Sequence, residues 1–504
     1  MPFNSLFSWF ITKRMHQIDL FIKHPLEVQD ELFQYLIEEA GSTRFGFDHH
    51  FQKIRSVGDF QQMVPIRNYE SFRPYIDLLK EGEQQVSWPT KVKWFAKSSG
   101  TTDDKSKYIP VTQESLEDCH YKGGKDMLAM YYQQQPHASL FNGKSLVVGG
   151  SSTLSSFNDA SQTGDLSAII IQNLPAWVEL KRTPSKEIAL MENWEEKLEA
   201  MAMATMNEDV TNIAGVPSWT LLLLQRICEL KKVQSIHDVW PNLELYMHGG
   251  ISFTPYKKSF EKLCHKPLHF METYNASEGF FGIQDNLEKD DMLLMLDYGI
   301  FYEFIPSSEW ESSQPQTITL EEVQLNEAYA VVISTNGGLW RYNIGDTIRF
   351  TSLFPFRFKI TGRTKQYINI VGEELMVETA ENALAFTCLE HRAIVTDFTV
   401  CPLPNENQVG FHHHWIIEFS EAPGDLETFA QTLDSELRAR NSDYDAKRVG
   451  DLNLKHLRIA TLPSNGFYEW MKSRGKLGGQ NKVPRLHPND KYYQLIQTWQ
   501  NENR

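Results

Sequence analysis

The sequence has no Cys-x-x-Cys pair, and its five cysteines (Cys119, Cys228, Cys264, Cys388, Cys401) are odd in number and far apart. That argues against a disulfide framework and a cysteine-bound zinc, and it predicts a reducing cytoplasm. No long Lys/Arg block is present, and acidic residues outnumber basic ones by 65 to 49. Neither nucleic acid nor an anionic membrane surface is therefore an expected partner, which leaves a small molecule. No apolar run can span a bilayer. The patterns G-x-x-x-x-G-K-[ST] and G-x-G-x-x-G are both missing, which disfavours P-loop kinases and dinucleotide oxidoreductases. Internal repeats and low-complexity tracts are absent too.

What is present is enough chain for two or more domains, at 504 residues, with ample apolar residues for their cores. In "FNSLFSWFITKRMHQIDLFI" the basic Lys13 and Arg14 follow the apolar part, the reverse of a signal peptide. Phe7, Ile11, Met15, Ile18 and Phe21 recur at helical spacing and predict an amphipathic helix capping the main domain. Residues 1 to about 90 read as mostly helical. Strand-like runs ("SLVVGG", "SAIIIQNLP", "NLELYMHGG") then alternate with helical stretches such as "EIALMENWEEKLEAMAMATM", the pattern of an α/β sheet domain. From 292 onward three strand runs form a β-rich subregion, with Asn336-Gly337-Gly338 as a hairpin signal.

After Gly362 the pattern becomes a helix, two strands, a helix, a strand and a final helix. The fold class expected is therefore α/β: a large N-terminal domain, residues 1–362, and a smaller, mobile α+β domain, residues 363–504, joined at "ITGRTKQ". The run His412-His413-His414 leads into "WIIEFS"; alternation along a strand turns neighbouring rings apart, so no metal is expected there. "MLAMYY" and "MAMATM" place methionines and aromatics at core spacing.

The stretch "KSSGTTDDKSKYIP", 97–110, sets Ser98, Ser99, Gly100, Thr101 and Thr102 before a cluster of charges. Small hydroxyl residues around a glycine leave backbone N–H groups and O–H donors open to a phosphate chain; the plain alternative is a polar turn. With "ETYNASEGFFG" (272–282) and "LWRYNIGD" (339–346), it resembles the three ordered motifs of adenylate-forming enzymes. More closely, these segments, together with "GVPSWTLLLLQRI" (215–227), "HGGISFTPY" (248–256) and "NKVPRL" (481–486), resemble the Gretchen Hagen three family of acyl acid amido synthetases over nearly the whole chain.

That resemblance implies ATP-dependent activation of a carboxylic acid as an acyl adenylate, then transfer to an amine, usually an amino acid. Such chemistry must supply a leaving group, because a carboxylate is a poor electrophile. Ser98, Ser99, Thr101 and Thr102 suit the β- and γ-phosphates, with Lys105 or Lys107 adding charge. Asp103 and Asp104 stand where a glycine often follows in the wider superfamily. Glu278 is the candidate magnesium ligand and, with Lys482, a candidate catalytic residue. Tyr274, Asn275 and Ser277 surround it in the motif, Tyr274 offering a ring face to adenine or serving as a core aromatic. Asp346 suits the ribose hydroxyls. Arg341 and Tyr342 support that strand, and Tyr342 also borders the nucleotide. Gly249 and Gly250 let backbone approach the nucleotide or acyl group, or make a tight turn. Arg363 at the hinge suits phosphate or ribose, or is a solvated linker arginine.

Near the C-terminus Lys482 ranks ahead of Lys476 as the lysine that a rotation about residues 362–366 brings to the α-phosphate. Val216, Trp219, Leu222 and Leu223 line an acyl pocket or belong to a buried helix. An acyl-CoA ligase and a nucleotide-binding regulator without turnover are the competing readings.

Overall fold

The computed structural model describes residues 12–98, 107–149, 154–158, 161–251, 253, 256–310, 312–364, 367–371, 373, 375–405, 411–448, 454–477 and 482–502. The chain forms two compact units: Met1–Ile251 with Glu261–Lys359, and Ser252–Phe260 with Ile360–Arg504.

Among the described residues the first unit begins with helices Met15–Lys23, Pro25–Ala40, Arg44–Asp48, Val57–Met63 and Tyr69–Lys80. Local chemistry starts them: Pro25 occupies a first-turn position, and the side chains of Thr43, Ser56 and Asn68 accept hydrogen bonds from the N–H groups of Gly46, Asp59 and Ser71. The first of these helices buries Ile18 and Phe21; Phe7 and Ile11 lie outside the described residues. Just before it, Arg14 donates to Asp126 at 3.1 Å and to Asp297 at 2.6 Å, fixing the helix start to the sheet domain by charge.

The strands are β1 (Trp94–Ser98), β2 (Lys107–Val111), β3 (Lys144–Val148), β4 (Ser155–Asn158), β5 (Ser161–Gly164), β6 (Arg182–Thr183), β7 (Val210–Gly215), β8 (Leu245–Gly249), β9 (His269–Ala276), β10 (Gly279–Ile283), β11 (Met292–Leu294), β12 (Ile300–Pro306), β13 (Ala328–Thr335), β14 (Tyr342–Leu353) and β15 (Phe356–Arg363). Among the described residues they form an eleven-stranded sheet, β12-β13-β14-β15-β11-β10-β9-β8-β7-β3-β6, and a four-stranded one, β2-β1-β5-β4. From β6 to β9 the large sheet is parallel; β9-β10, β10-β11, β11-β15, β12-β13 and β13-β14 pair antiparallel. The Asn336-Gly337-Gly338 signal falls between antiparallel β13 and β14.

Two local readings need correction. "SAIIIQNLP" belongs to a helix, Leu166–Gln172, that buries Leu166, Ala168, Ile169 and Ile171. A short apolar run fits a buried strand or a buried helix equally, and here packing rather than β-branching decided. "EIALMENWEEKLEAMAMATM" is two helices, Lys186–Ala189 and Trp194–Thr205, because the Asn193 side chain accepts from the N–H groups of Glu195 and Glu196 and starts a new helix.

Arg341, the first residue of "RYNIGD", sits in a buried polar knot. Its guanidinium donates to both Glu303 carboxylate oxygens at 3.0 Å, to the carbonyls of Gln61 and Val64 at 2.9 and 2.7 Å, and to Thr317 Oγ1 at 2.6 Å. The pair is almost solvent-free, with side-chain exposures of 5% and 1%.

The second unit carries β16 (Ile394–Pro404), β17 (Phe411–Glu421) and β18 (Arg458–Leu462) in one sheet, antiparallel then parallel. Helices Val377–Glu390 and Leu426–Arg440 bury Leu384, Leu433 and Leu437 in one core with Phe398 and Trp415, whose rings stack at 5.5 Å. The three histidines turn alternately. His413 Nε2 meets the buried Glu373 carboxylate at 3.0 Å, while His412 pairs with Asn405. Among the described residues no group of three His, Cys, Asp or Glu is placed to hold a metal ion. The "final helix" is also two: Gly466–Ser473 and Lys491–Glu502. "KSRGKLGGQNKVPRL" therefore falls between two helices rather than after the last one.

Candidate active site

Three of the parallel strands end level with one another, and the fourth runs beside them. Val148 on β3 is the register partner of Gly215 on β7, Gly215 of His248 on β8, and His248 of Glu272 on β9. β3, β7 and β8 therefore end along one carboxyl edge of the parallel half, where open α/β sheets bind ligands, while β9 runs on through Tyr274 to Ala276 and turns at Ser277-Glu278 into β10. At that edge Gly249 approaches β9 so closely that a Cβ would stand 2.3 Å from the Thr273 carbonyl oxygen, and Gly250 has φ +81°. The Thr273 hydroxyl donates to the His248 carbonyl at 3.1 Å, closing the contact. Burial pushes the His248 imidazole down to about 3, so it is neutral at pH 7.

Tyr274, one residue on, is buried and donates its hydroxyl to Asp346 Oδ2 at 2.6 Å. Its ring lies 4.8 Å from Phe281 and 6.1 Å from Phe358. β9 and β14 are not neighbours in the sheet, so this bond brings the second and third motifs together across intervening strands. Ser277 is buried and Glu278 half-buried in the turn from β9 to β10. Exposed Asn275 hydrogen-bonds His120, which stands in a π-helix, Ser115–Tyr121; burial dominates and pushes the His120 imidazole down to about 4. Tyr342 is buried, packed edge-on at 6.2 Å from Phe72, and bridges in parallel to Arg67.

β1 and β2 pair antiparallel with Ser98 opposite Lys107, so residues 99–106 connect a hairpin. Ser99, Gly100, Thr101, Thr102 and Lys105 lie outside the described residues, as does everything of Ser98 beyond its backbone. The Lys107 ammonium stands 5.9 Å from the centre of the Tyr69 ring. Val216 starts the helix Pro217–Lys231, in which Leu223 is buried and Trp219 and Leu222 are half-buried.

In the second unit Arg363 ends β15 and is half-buried. Gly475, at φ +63°, stops the helix Gly466–Ser473: the N–H groups of Gly475 and Lys476 donate to the carbonyls of Lys472 and Met471, each at 2.9 Å. The glycine before Lys476 thus has a helix-capping reason. Lys482 is exposed, and three residues on Arg485 is held by Asp397, Glu381 and Tyr256. Sequence reading passed over these three anchors, since nothing local marks an acid that finds its partner 88 residues away.

Among solved structures the fold matches a 2-hydroxyisobutyryl-CoA ligase in its postadenylation state, in complex with R3-HIB-AMP (TM-score 0.52, 12% identity, 98% of this chain and 91% of that one). It also matches GH3.15 acyl acid amido synthetase (TM-score 0.79, 17% identity, 97% and 96%). The fold is the one these adenylate-forming ligases share. The chain belongs to the GH3 family: the family's N-terminal domain matches residues 14–269, its central domain 293–363 and its C-terminal domain 378–491. Curated relatives include 4-substituted benzoates-glutamate ligase GH3.12 of Arabidopsis thaliana, 24% identical over 94% of each chain. Indole-3-acetic acid-amido synthetase GH3.15 of the same plant is 21% identical over 94% of this chain and 92% of its own.

Proposed function

We propose that this enzyme joins a small carboxylic acid to an amino acid in two steps. The acid's carboxylate oxygen attacks the α-phosphorus of ATP and pyrophosphate leaves; the amine nitrogen then attacks the acyl carbon, and AMP leaves with the bonding pair as the amine loses its proton. The observation that supports this best is the Tyr274–Asp346 bond, made one residue beyond the level at which β3, β7 and β8 end.

In this reading residues 1–362 hold nucleotide and acid, and residues 363–504 form a lid. Ser98, Ser99, Gly100, Thr101 and Thr102 wrap the outer phosphates, and Gly249 and Gly250 admit the nucleotide to the sheet edge. Tyr274, Asn275, Ser277 and Tyr342 shape the nucleoside side, Asp346 accepts the ribose hydroxyls, and Arg363 and Lys482 bring charge from the lid. A half-buried glutamate at a turn, as Glu278 is, suits magnesium, an ion that takes one or two protein carboxylates and completes its octahedron with water and phosphate oxygens. Bound there, magnesium would neutralise charge on the departing pyrophosphate. The five cysteines are all free thiols, which supports a reducing cytoplasm. No helix among the described residues is long and apolar enough to cross a membrane.

Incubation with ATP, magnesium and a panel of carboxylic acids should give AMP and pyrophosphate, and amino acids rather than coenzyme A should consume the adenylate. ADP as the stoichiometric product would overturn the mechanism; transfer to coenzyme A alone would make the enzyme a thioester ligase. Chelation by EDTA should stop pyrophosphate exchange.

Asp346→Asn should raise the ATP KM more than it lowers kcat, because ribose contacts change little between ground and transition states. The loss expected is about 1.5–3 kcal/mol, the range for hydrogen bonds to a charged group. Tyr274→Phe, which removes only the hydroxyl on Asp346, should move the same constant in the same direction. An unchanged ATP KM in both would take Asp346 out of the site.

A further inference from the structure

The segment carrying Lys482 is bolted to the second unit's sheet. Leu486 bridges Val400 on β16: the Val400 N–H donates to the Arg485 carbonyl at 2.8 Å, the His487 N–H returns to the Val400 carbonyl at 2.9 Å, and the Thr399 hydroxyl donates to the Pro484 carbonyl at 2.6 Å. Arg485 then turns inward. Its guanidinium pairs with Asp397 and, at 3.4 Å, with Glu381, donates to the Phe398 carbonyl at 3.1 Å and to the Tyr256 hydroxyl at 3.3 Å, and lies 4.6 Å from the centre of the Phe398 ring. Five partners around one planar group set its position in every direction.

This knot does more than stability requires. A buried guanidinium between two carboxylates is an expensive way to hold a surface loop, since burying charge costs desolvation that apolar packing avoids. What it supplies is geometry: a fixed base three residues from an exposed lysine. Tyr256 is the last residue of "HGGISFTPY" and is buried within this unit. Its hydroxyl on Arg485 gives a job to the end of a motif that the nucleotide reading leaves unused. Burial raises the Tyr256 phenol well above its ordinary value, so it remains a neutral hydroxyl. The neighbouring carboxylates hold Arg485 charged against the opposing effect of burial.

We propose that Arg485, locked by Asp397, Glu381 and Tyr256, is the positioning residue for Lys482. Arg485 itself touches no reacting atom; it delivers the lysine as part of a rigid body rather than on a flexible arm. A cation that must meet charge developing on an α-phosphate works only when its place is set beforehand. The inference rests on the role assigned to Lys482 above.

A double-mutant cycle on the full-length enzyme tests it, using pyrophosphate exchange for adenylation and a supplied acyl-AMP for transfer. Arg485→Lys keeps the charge but not the planar fork. It should lower the adenylation rate about tenfold to a hundredfold, the scale of a small misplacement, with the ATP KM and the transfer step nearly unchanged. Tyr256→Phe should show the same split more weakly and keeps the test available if Arg485→Lys does not fold. In a Lys482→Ala background neither substitution should cost anything further, because the residue they position is gone. Equal slowing of both half-reactions, or full additivity with Lys482→Ala, would reduce Arg485 to a structural residue. A Lys482→Ala enzyme with normal adenylation would instead remove the lysine's role, and the positioning role with it.

Discussion

Lys482→Ala is expected to slow acyl-adenylate formation by about 10²–10³-fold, or 2.7–4 kcal/mol, the usual cost of losing one preorganised group at a developing charge. Transfer from supplied acyl-AMP to the amine should stay close to wild type, because substitution at the α-phosphorus is already complete and the lysine's work is done. The two half-reactions are measured separately, as pyrophosphate exchange and as amide formation from synthetic adenylate. Equal loss in both, or none in either, would end the assignment. Lys476→Ala is the control: its backbone N–H caps a helix at Met471 whatever its side chain, so both half-reactions should survive.

Arg341→Ala should be among the most destabilising single changes in the first unit. It strands Glu303, a carboxylate with 1% side-chain exposure, and unmakes bonds that tie β12 and β14 to the helical region at Gln61 and Val64. Breaking a buried pair from one side costs about 3–5 kcal/mol, chiefly as the penalty on the charge left behind. Replacing both partners with apolar residues, as in Arg341→Met with Glu303→Leu, should recover much of that loss, since the desolvation cost then disappears with the charge. Equilibrium denaturation of the three proteins, followed by far-UV circular dichroism, reads the order. A double variant no better than Arg341→Ala would show that the polar bonds to Gln61, Val64 and Thr317, rather than the ion pair, carry the effect.

These residues also show how much could be read in advance. Local chemistry was legible: "RYNIGD" reads as a strand after an Asn-Gly-Gly turn, and it forms β14 paired with β13. "NLELYMHGG" reads as a strand ending in glycines, and β8 ends at Gly249. That Arg341 supports its strand was read from the motif; that it does so through Glu303 was not. "SAIIIQNLP" failed because seven apolar or small residues carry no period that separates a buried strand from a buried helix.

The sequence by itself determined the class of fold, because periodicity, caps and turn residues act within a few positions of one another, and the resemblance of its motifs pointed to the family. Tertiary structure alone decided the partners. Tyr274 finds Asp346 72 residues on, and Arg485 reaches a hydroxyl 229 residues back. Such bonds depend on which strands the sheet brings near each other, and a polar side chain carries no local mark of the partner that burial will demand of it.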